Sequence, residues 1–205
     1  MPLVPLRLLR SFVPLIALGC ALSATLLAQE VEVTTVNFNN VRAPTGSTGT
    51  WLETEITLNV KAVATNPSQM VSRVRVSLLV GFELPASAGN ERRLEHYRSD
   101  AECVSLEPGR AYVRFYLPPE LVKRDQLHGD PKYWGIELAV AGRALPASRA
   151  AYSSTLGTAE QRKNFQTRAS AAAVANDGIL QPQFLTPFMN EHPRATPSFV
   201  RRDAR

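Results

Sequence analysis

From Trp51 to Ala62 the chain divides between two faces with a period of two. Leu52, Thr54, Ile56, Leu58, Val60 and Ala62 fall on one side, and Trp51, Glu53, Glu55, Thr57, Asn59 and Lys61 on the other. A helix brings residues three and four apart onto one face, so a period of two can be satisfied only by a strand with one side on a core and one side wet. The period returns at Val74, Val76, Leu78, Val80 and Phe82, set against Arg73, Arg75, Ser77 and Leu79. It returns again at Val113, Phe115 and Leu117, against Tyr112, Arg114 and Tyr116. Glu30 to Val41 alternates more loosely and leaves room for a bulge. Arg92 to Arg98 reads as a charged edge strand, 101–106 and 111–117 as a hairpin around Glu107-Pro108-Gly109-Arg110, and Tyr133 to Val140 as a further strand. With Pro- and Gly-containing turns between them, about seven short strands predict an immunoglobulin-like β-sandwich over 29–156. A closed barrel is the competing arrangement.

The pattern changes at Thr158. Thr158 with Gln161 fits a capping box, 159–176 holds neither Gly nor Pro, and Gly178 can end a helix in the left-handed region. The spacing predicts a helix within 157–178 whose apolar face is narrow: Phe165 with Ala169, Ala172 and Ala173. Such a face suits close packing on its own sandwich. The segment 179–205 is punctuated by Pro182, Pro187, Pro193 and Pro197 and reads as an extended tail. Ile179, Leu180, Phe184, Leu185, Phe188 and Phe199 make it too apolar for a disordered chain. It either wraps back on the domain or docks on a partner. For the second case Phe184, Leu185, Phe188, Phe199, Arg201 and Arg202 are the candidate partner-binding residues, and truncation at Gly178 is expected to leave thermal stability nearly unchanged.

Residues 1–28 read as an address. Arg7 and Arg10 precede an uncharged run from Ser11 to Ala28, as in a secretory signal peptide cleaved after Ala28. A lipoprotein reading would lipidate Cys20 behind Ala17-Leu18-Gly19, although the apolar run continues past it. A retained membrane or pilin-type helix is the third reading. Without Arg7 and Arg10 the charge falls from +5 to +3, 21 basic against 18 acidic residues. Apart from Arg194, Arg201, Arg202 and Arg205 the charges are interspersed, so no basic face for nucleic acid is expected. Cys103 then stands alone, so no internal disulfide can form. It reads as a small buried strand residue.

Chemistry-bearing patterns are missing. His96, His128 and His192 lack the spacing of a zinc site, and His96 reads as a surface residue. There is no nucleophile elbow, P-loop or dinucleotide-binding glycine pattern. Glu53 and Glu55 share a face and raise glycoside hydrolysis, but beside Thr57 and Lys61 they read as a solvated sheet surface. Asp125 and Asp130 offer too few oxygens for calcium. No catalytic residue, metal or cofactor is expected. Trp51, Tyr112, Tyr116, Tyr133 and Trp134 would form a carbohydrate- or surface-binding platform if they were exposed on one face.

Three long segments, LPPELVKRDQLHGDPKYW at 117–134, NDGILQPQFLTPF at 176–188 and PSFVRR at 197–202, together with WLETEITLNV at 51–60, resemble a family of secreted verrucomicrobial proteins described as pilus-like. The resemblance covers nearly all of the chain after the leader. It implies an immunoglobulin-like sandwich, an envelope or surface-assembly role tied to a type IV pilus-like gene cluster, and no enzymatic activity. Partners would be other pilus-like or envelope machinery proteins, with membrane contact only through them or through a lipid on Cys20. The location would be the periplasm, outer membrane or cell surface. The leader departs from a true pilin, having no prepilin-type Gly followed by glutamate at the fifth position. The chain therefore looks like a peripheral component more than a shaft subunit.

Overall fold

The computed structural model describes residues 30–44, 49–62, 68–84, 93–127, 129–190 and 196–201. The leader, with Cys20, lies outside the described residues. Two antiparallel sheets carry the fold. The first is ordered β1-β2-β5-β8, from β1 (Val31–Arg42), β2 (Thr50–Val60), β5 (Gly109–Leu117) and β8 (Gln181–Pro182). The second is ordered β4-β3-β6-β7, from β3 (Val71–Glu83), β4 (Leu94–Leu106), β6 (Tyr133–Val140) and β7 (Arg143–Ala144). The sandwich expected from the alternation is the architecture found. Ile56, Leu58, Val113 and Phe115 of one sheet and Val74, Val76, Leu78, Val80 and Ile136 of the other are at most 1% exposed and form the layer between the sheets. The bulge in β1 is present as a register shift between Val33 and Thr35 against β2.

Two strand expectations are corrected. The segments read as an edge strand at 92–98 and a hairpin arm at 101–106 are one strand, β4, paired with β3 from Glu83↔Leu94 to Val71↔Leu106. The proposed hairpin is an arch, because β4 pairs with β3 while β5 pairs with β2 in the opposite sheet. Gly109, at φ +117°, makes the change of direction in a conformation L side chains rarely adopt. A short helix, α1 (Pro119–Arg124), follows β5. Pro119 at its start, Glu120 in its first turn and Lys123 and Arg124 in its last suit the helix dipole.

Helix α2 (Ala159–Ala172) opens with the expected capping box: Gln161 N donates to Thr158 Oγ1 at 3.2 Å, and Thr158 N donates to Gln161 Oε1 at 3.0 Å. It lies on the outer face of the second sheet, as its narrow apolar stripe required. Gly81 and Gly135 make the space. A Cβ on Gly135 would stand 2.9 Å from Tyr152 and 3.4 Å from Phe165. A 3-10 turn at Ala173–Asn176 continues the helix, and Asn176 Nδ2 donates to Glu95 Oε2 at 3.0 Å and to the His96 carbonyl at 2.9 Å.

The tail wraps back. β8 extends the first sheet at Phe115 and Tyr116. Further on, Val104 N donates to the Ser198 carbonyl at 2.8 Å, and Val200 N donates to the Glu102 carbonyl at 2.7 Å, adding a short strand to the edge of β4. Phe184 and Phe199, 5.2 Å apart, join the two attachments.

Candidate functional site

The supposed wet side of β2 is dry. Trp51, Glu53 and Glu55 are 7%, 4% and 4% exposed. The register sets Glu53 opposite Tyr116 and Glu55 opposite Arg114 on β5, so like-facing side chains meet. The Tyr116 hydroxyl donates to Glu53 Oε2 at 2.8 Å, Asn39 Nδ2 to Glu53 Oε1 at 3.2 Å, and Arg114 Nε to Glu55 Oε2 at 3.0 Å. Arg114 Nη2 also stands 3.0 Å from that oxygen as an ion pair, too poorly aligned to donate, while Nη1 has no partner among the described residues. Burial, and then the Glu53 charge, pushes the Tyr116 hydroxyl well above its ordinary pKa, so it remains a donor. The tail supplies the cover. Phe188 stacks on Tyr116 at 4.4 Å and meets Trp51 edge-on at 5.7 Å. Gln183, fully buried, donates through Nε2 to the Phe188 carbonyl and to Thr196 Oγ1. The carboxylate pair is thus a buried, bonded part of the fold, and it presents no open face to a sugar.

Other side chains singled out in the sequence are dispersed. Trp51 and Tyr116 lie under Phe188, half-buried Trp134 meets Phe38 at 6.0 Å, Tyr133 meets Phe165 at 6.0 Å, and Tyr112 carries the Arg114 guanidinium over its ring at 5.4 Å. These aromatics share no exposed face, and the carbohydrate-platform reading loses its geometric basis. His96 is corrected from surface to buried: α2 covers it, with Phe165 at 6.2 Å and its Nδ1 unpartnered among the described residues. Asp125 is held by Arg124 at 2.8 Å and by the Tyr97 hydroxyl at 3.2 Å, and the Arg124 hydrogen bonds draw its carboxyl below the usual range. Asp130 is exposed. No group of three or more metal-ligating side chains occurs among the described residues. Cys103 is fully buried as expected, and burial pushes its thiol up to about 12.

The six tail candidates separate. Phe188 is buried, Phe184 and Phe199 are half-buried against each other, and Leu185 is 65% exposed. Arg201 is exposed, with Nη2 3.4 Å from Met189 Sδ, and Arg202 lies outside the described residues. Leu185 and Phe184 line a groove of 580 Å³ between the tail, the end of the helix and β4, together with Leu180, Val174, Arg75 and Arg98. Val174, 75% exposed, was missed in the sequence. The signal was present: it lies nine residues after Phe165, half a turn out of phase with the buried stripe.

Two four-stranded antiparallel sheets face to face, an outer helix and a wrapped tail define this chain as an immunoglobulin-like β-sandwich protein. No family model and no curated protein matches it. Its fold is shared with a crystal structure of a protein from Akkermansia muciniphila, with TM-score 0.67 and 20% sequence identity over 85% of this chain and 94% of that one. The 128 residues of 29–156 are less than two thirds of the 205, so a match over 85% extends beyond the sandwich strands.

Proposed function

We propose that the chain is a non-enzymatic envelope or surface protein of a type IV pilus-like or related secretion apparatus, acting by protein–protein contacts. The observation that carries this reading is the groove between helix end and tail, where Val174 and Leu185 stand exposed beside Phe184. Large apolar side chains held in water next to a lined groove are the anatomy of a contact surface. The resemblance of 117–134, 176–188 and 197–202 to pilus-like proteins supports the setting, and the fold shared with the Akkermansia muciniphila protein agrees with it. The partner is another component of that machinery. Contact runs through Phe184, Leu185, Phe199, Arg201 and Arg202, with Phe188 holding the tail in place from beneath. The leader sends the protein to the periplasm, outer membrane or cell surface. No helix among the described residues is long and apolar enough to cross a membrane. Membrane contact in this reading comes through the partner or a lipid on Cys20.

The test is a pull-down from envelope extracts with the full chain, beside Leu185→Asp and Val174→Asp. Both positions are exposed, so melting temperature should hold while capture of a pilus-machinery component falls at least tenfold. Recovery of no such component, with normal surface assembly in a deletion strain, would sink the proposal.

A further inference from the structure

The sheet edges are treated unequally. β6 is closed by β7 and by the Ser153 N–H donating to the Trp134 carbonyl at 3.0 Å. β4 receives Ser198 and Val200 and carries Arg98 and Asp100 mid-strand. β5 is capped by β8 and carries Arg110. β1 is different. The Ser148 hydroxyl donates to the Val33 carbonyl at 2.9 Å and the 3-10 turn at Arg149–Ala151 packs against the strand, but beyond these no strand covers its outer edge among the described residues. From Thr35 to Val41 it has no charge and no proline. An uncharged edge of this length presents unpaired N–H and C=O groups to any strand that can match it.

We infer that the β1 edge pairs with β1 of a second copy of this chain, antiparallel about a two-fold axis at Asn37. The strand's own pattern selects both occupant and register. Val36 and Phe38 are half-buried and belong to the inner side of the sheet, packed against the core, whereas Thr35, Asn37 and Asn39 are exposed. Centring on Asn37 sets Val36 of one copy opposite Phe38 of the other, Thr35 opposite Asn39, and Asn37 opposite itself. Moving the axis by one residue, to Phe38, would instead face Val36 with Asn40 and Thr35 with Val41. A two-fold axis midway between residues would oppose inner with outer side chains. Only the Asn37 axis matches apolar to apolar and polar to polar throughout, with no like charges opposed. Ser148 and the bulge at Val33/Thr35 end the seam on one side. The joined edges would make one sheet running through both copies. So short a seam buries less than about 1,200 Å², so the dimer is weak and concentration-dependent.

Sedimentation velocity over a concentration series tests this, on the full chain expressed with its own leader and purified in the form the cell yields. Wild type should shift from monomer to dimer as concentration rises. Asn37→Lys and Asn37→Glu each place like charges on the axis and should stay monomeric at every concentration; Asn37→Lys should keep the wild-type melting temperature because Asn37 is exposed, whereas Asn37→Glu, opposite Glu55, should lower it slightly while remaining folded. Mixing the two variants should restore a dimer containing one of each. Asn37→Cys should form a disulfide-linked dimer on mild oxidation, since strand positions on a two-fold axis come within disulfide reach. Wild type that stays monomeric at its highest attainable concentration would overturn the inference. So would charged variants that associate like wild type, or a mixture that fails to recover.

Discussion

Arg114 is the residue under the strongest local constraint. Its guanidinium is fully buried on the outer face of the first sheet, with Glu55 beside it and Tyr112 beneath it. Removing one member of a buried pair leaves the other charge in a poorly solvating site. Arg114→Met should therefore lower unfolding free energy by about 3 kcal/mol in urea denaturation, and adding Glu55→Met should recover most of that loss. His96 gives the pH counterpart. Burial under α2 lowers its pKa from 6.5, the Glu95 charge opposing weakly. A group whose folded pKa is depressed binds fewer protons folded than unfolded, so its stability contribution is present above pH 6.5 and lost as pH falls toward the folded value. The urea midpoint should fall between pH 7.5 and pH 5, and His96→Gln should flatten that part of the profile; an unchanged slope in the variant would assign the effect elsewhere.

At the scale of elements, legibility followed periodicity. β2 and β3 could be read because one of their faces lies on the core, and α2 because Thr158 and Gln161 carry the capping chemistry in four residues. What covers the other face could not be read. Glu53 and Glu55 look like solvated carboxylates until β5 sets Arg114 and Tyr116 beside them. β4 reads as two segments because Arg98, Ser99 and Asp100 interrupt its apolar pattern. The arch at Gly109 looks like any Pro-Gly turn, since sequence does not say which sheet a strand joins. The glycines under α2 are the element-scale clue to its docking. Gly135→Ala would drive a Cβ to 2.9 Å from the Tyr152 ring. It should cost about 1–3 kcal/mol by overpacking and weaken hydrogen-exchange protection in α2 more than in the β3–β6 pairing. Protection in α2 equal to that of the wild type would mean the helix can move aside freely.

For the whole molecule, the tail departs most from the sequence reading. Truncation at Gly178 was expected to be nearly neutral; the structure argues otherwise, since it would remove buried Leu180, Gln183 and Phe188 and bare the edges of β4 and β5. Two large apolar side chains at about 2–3 kcal/mol each correspond to a fall in melting temperature of about 10 °C or more, which calorimetry would read directly. A two-residue strand such as β8 leaves no periodic trace, so this role could not be seen in the alternation that revealed the sandwich. The wrapped tail also sets a timetable. Residues 181–200 come after every long strand they cover, so in a chain made or threaded N-terminus first the β5 edge stays bare until Pro182, and the β4 edge until Val200, has emerged. Until then the sandwich is an unfinished object with two adhesive sides, and anything that delays the passage of these residues prolongs the interval in which the nascent chain is most exposed to mispairing.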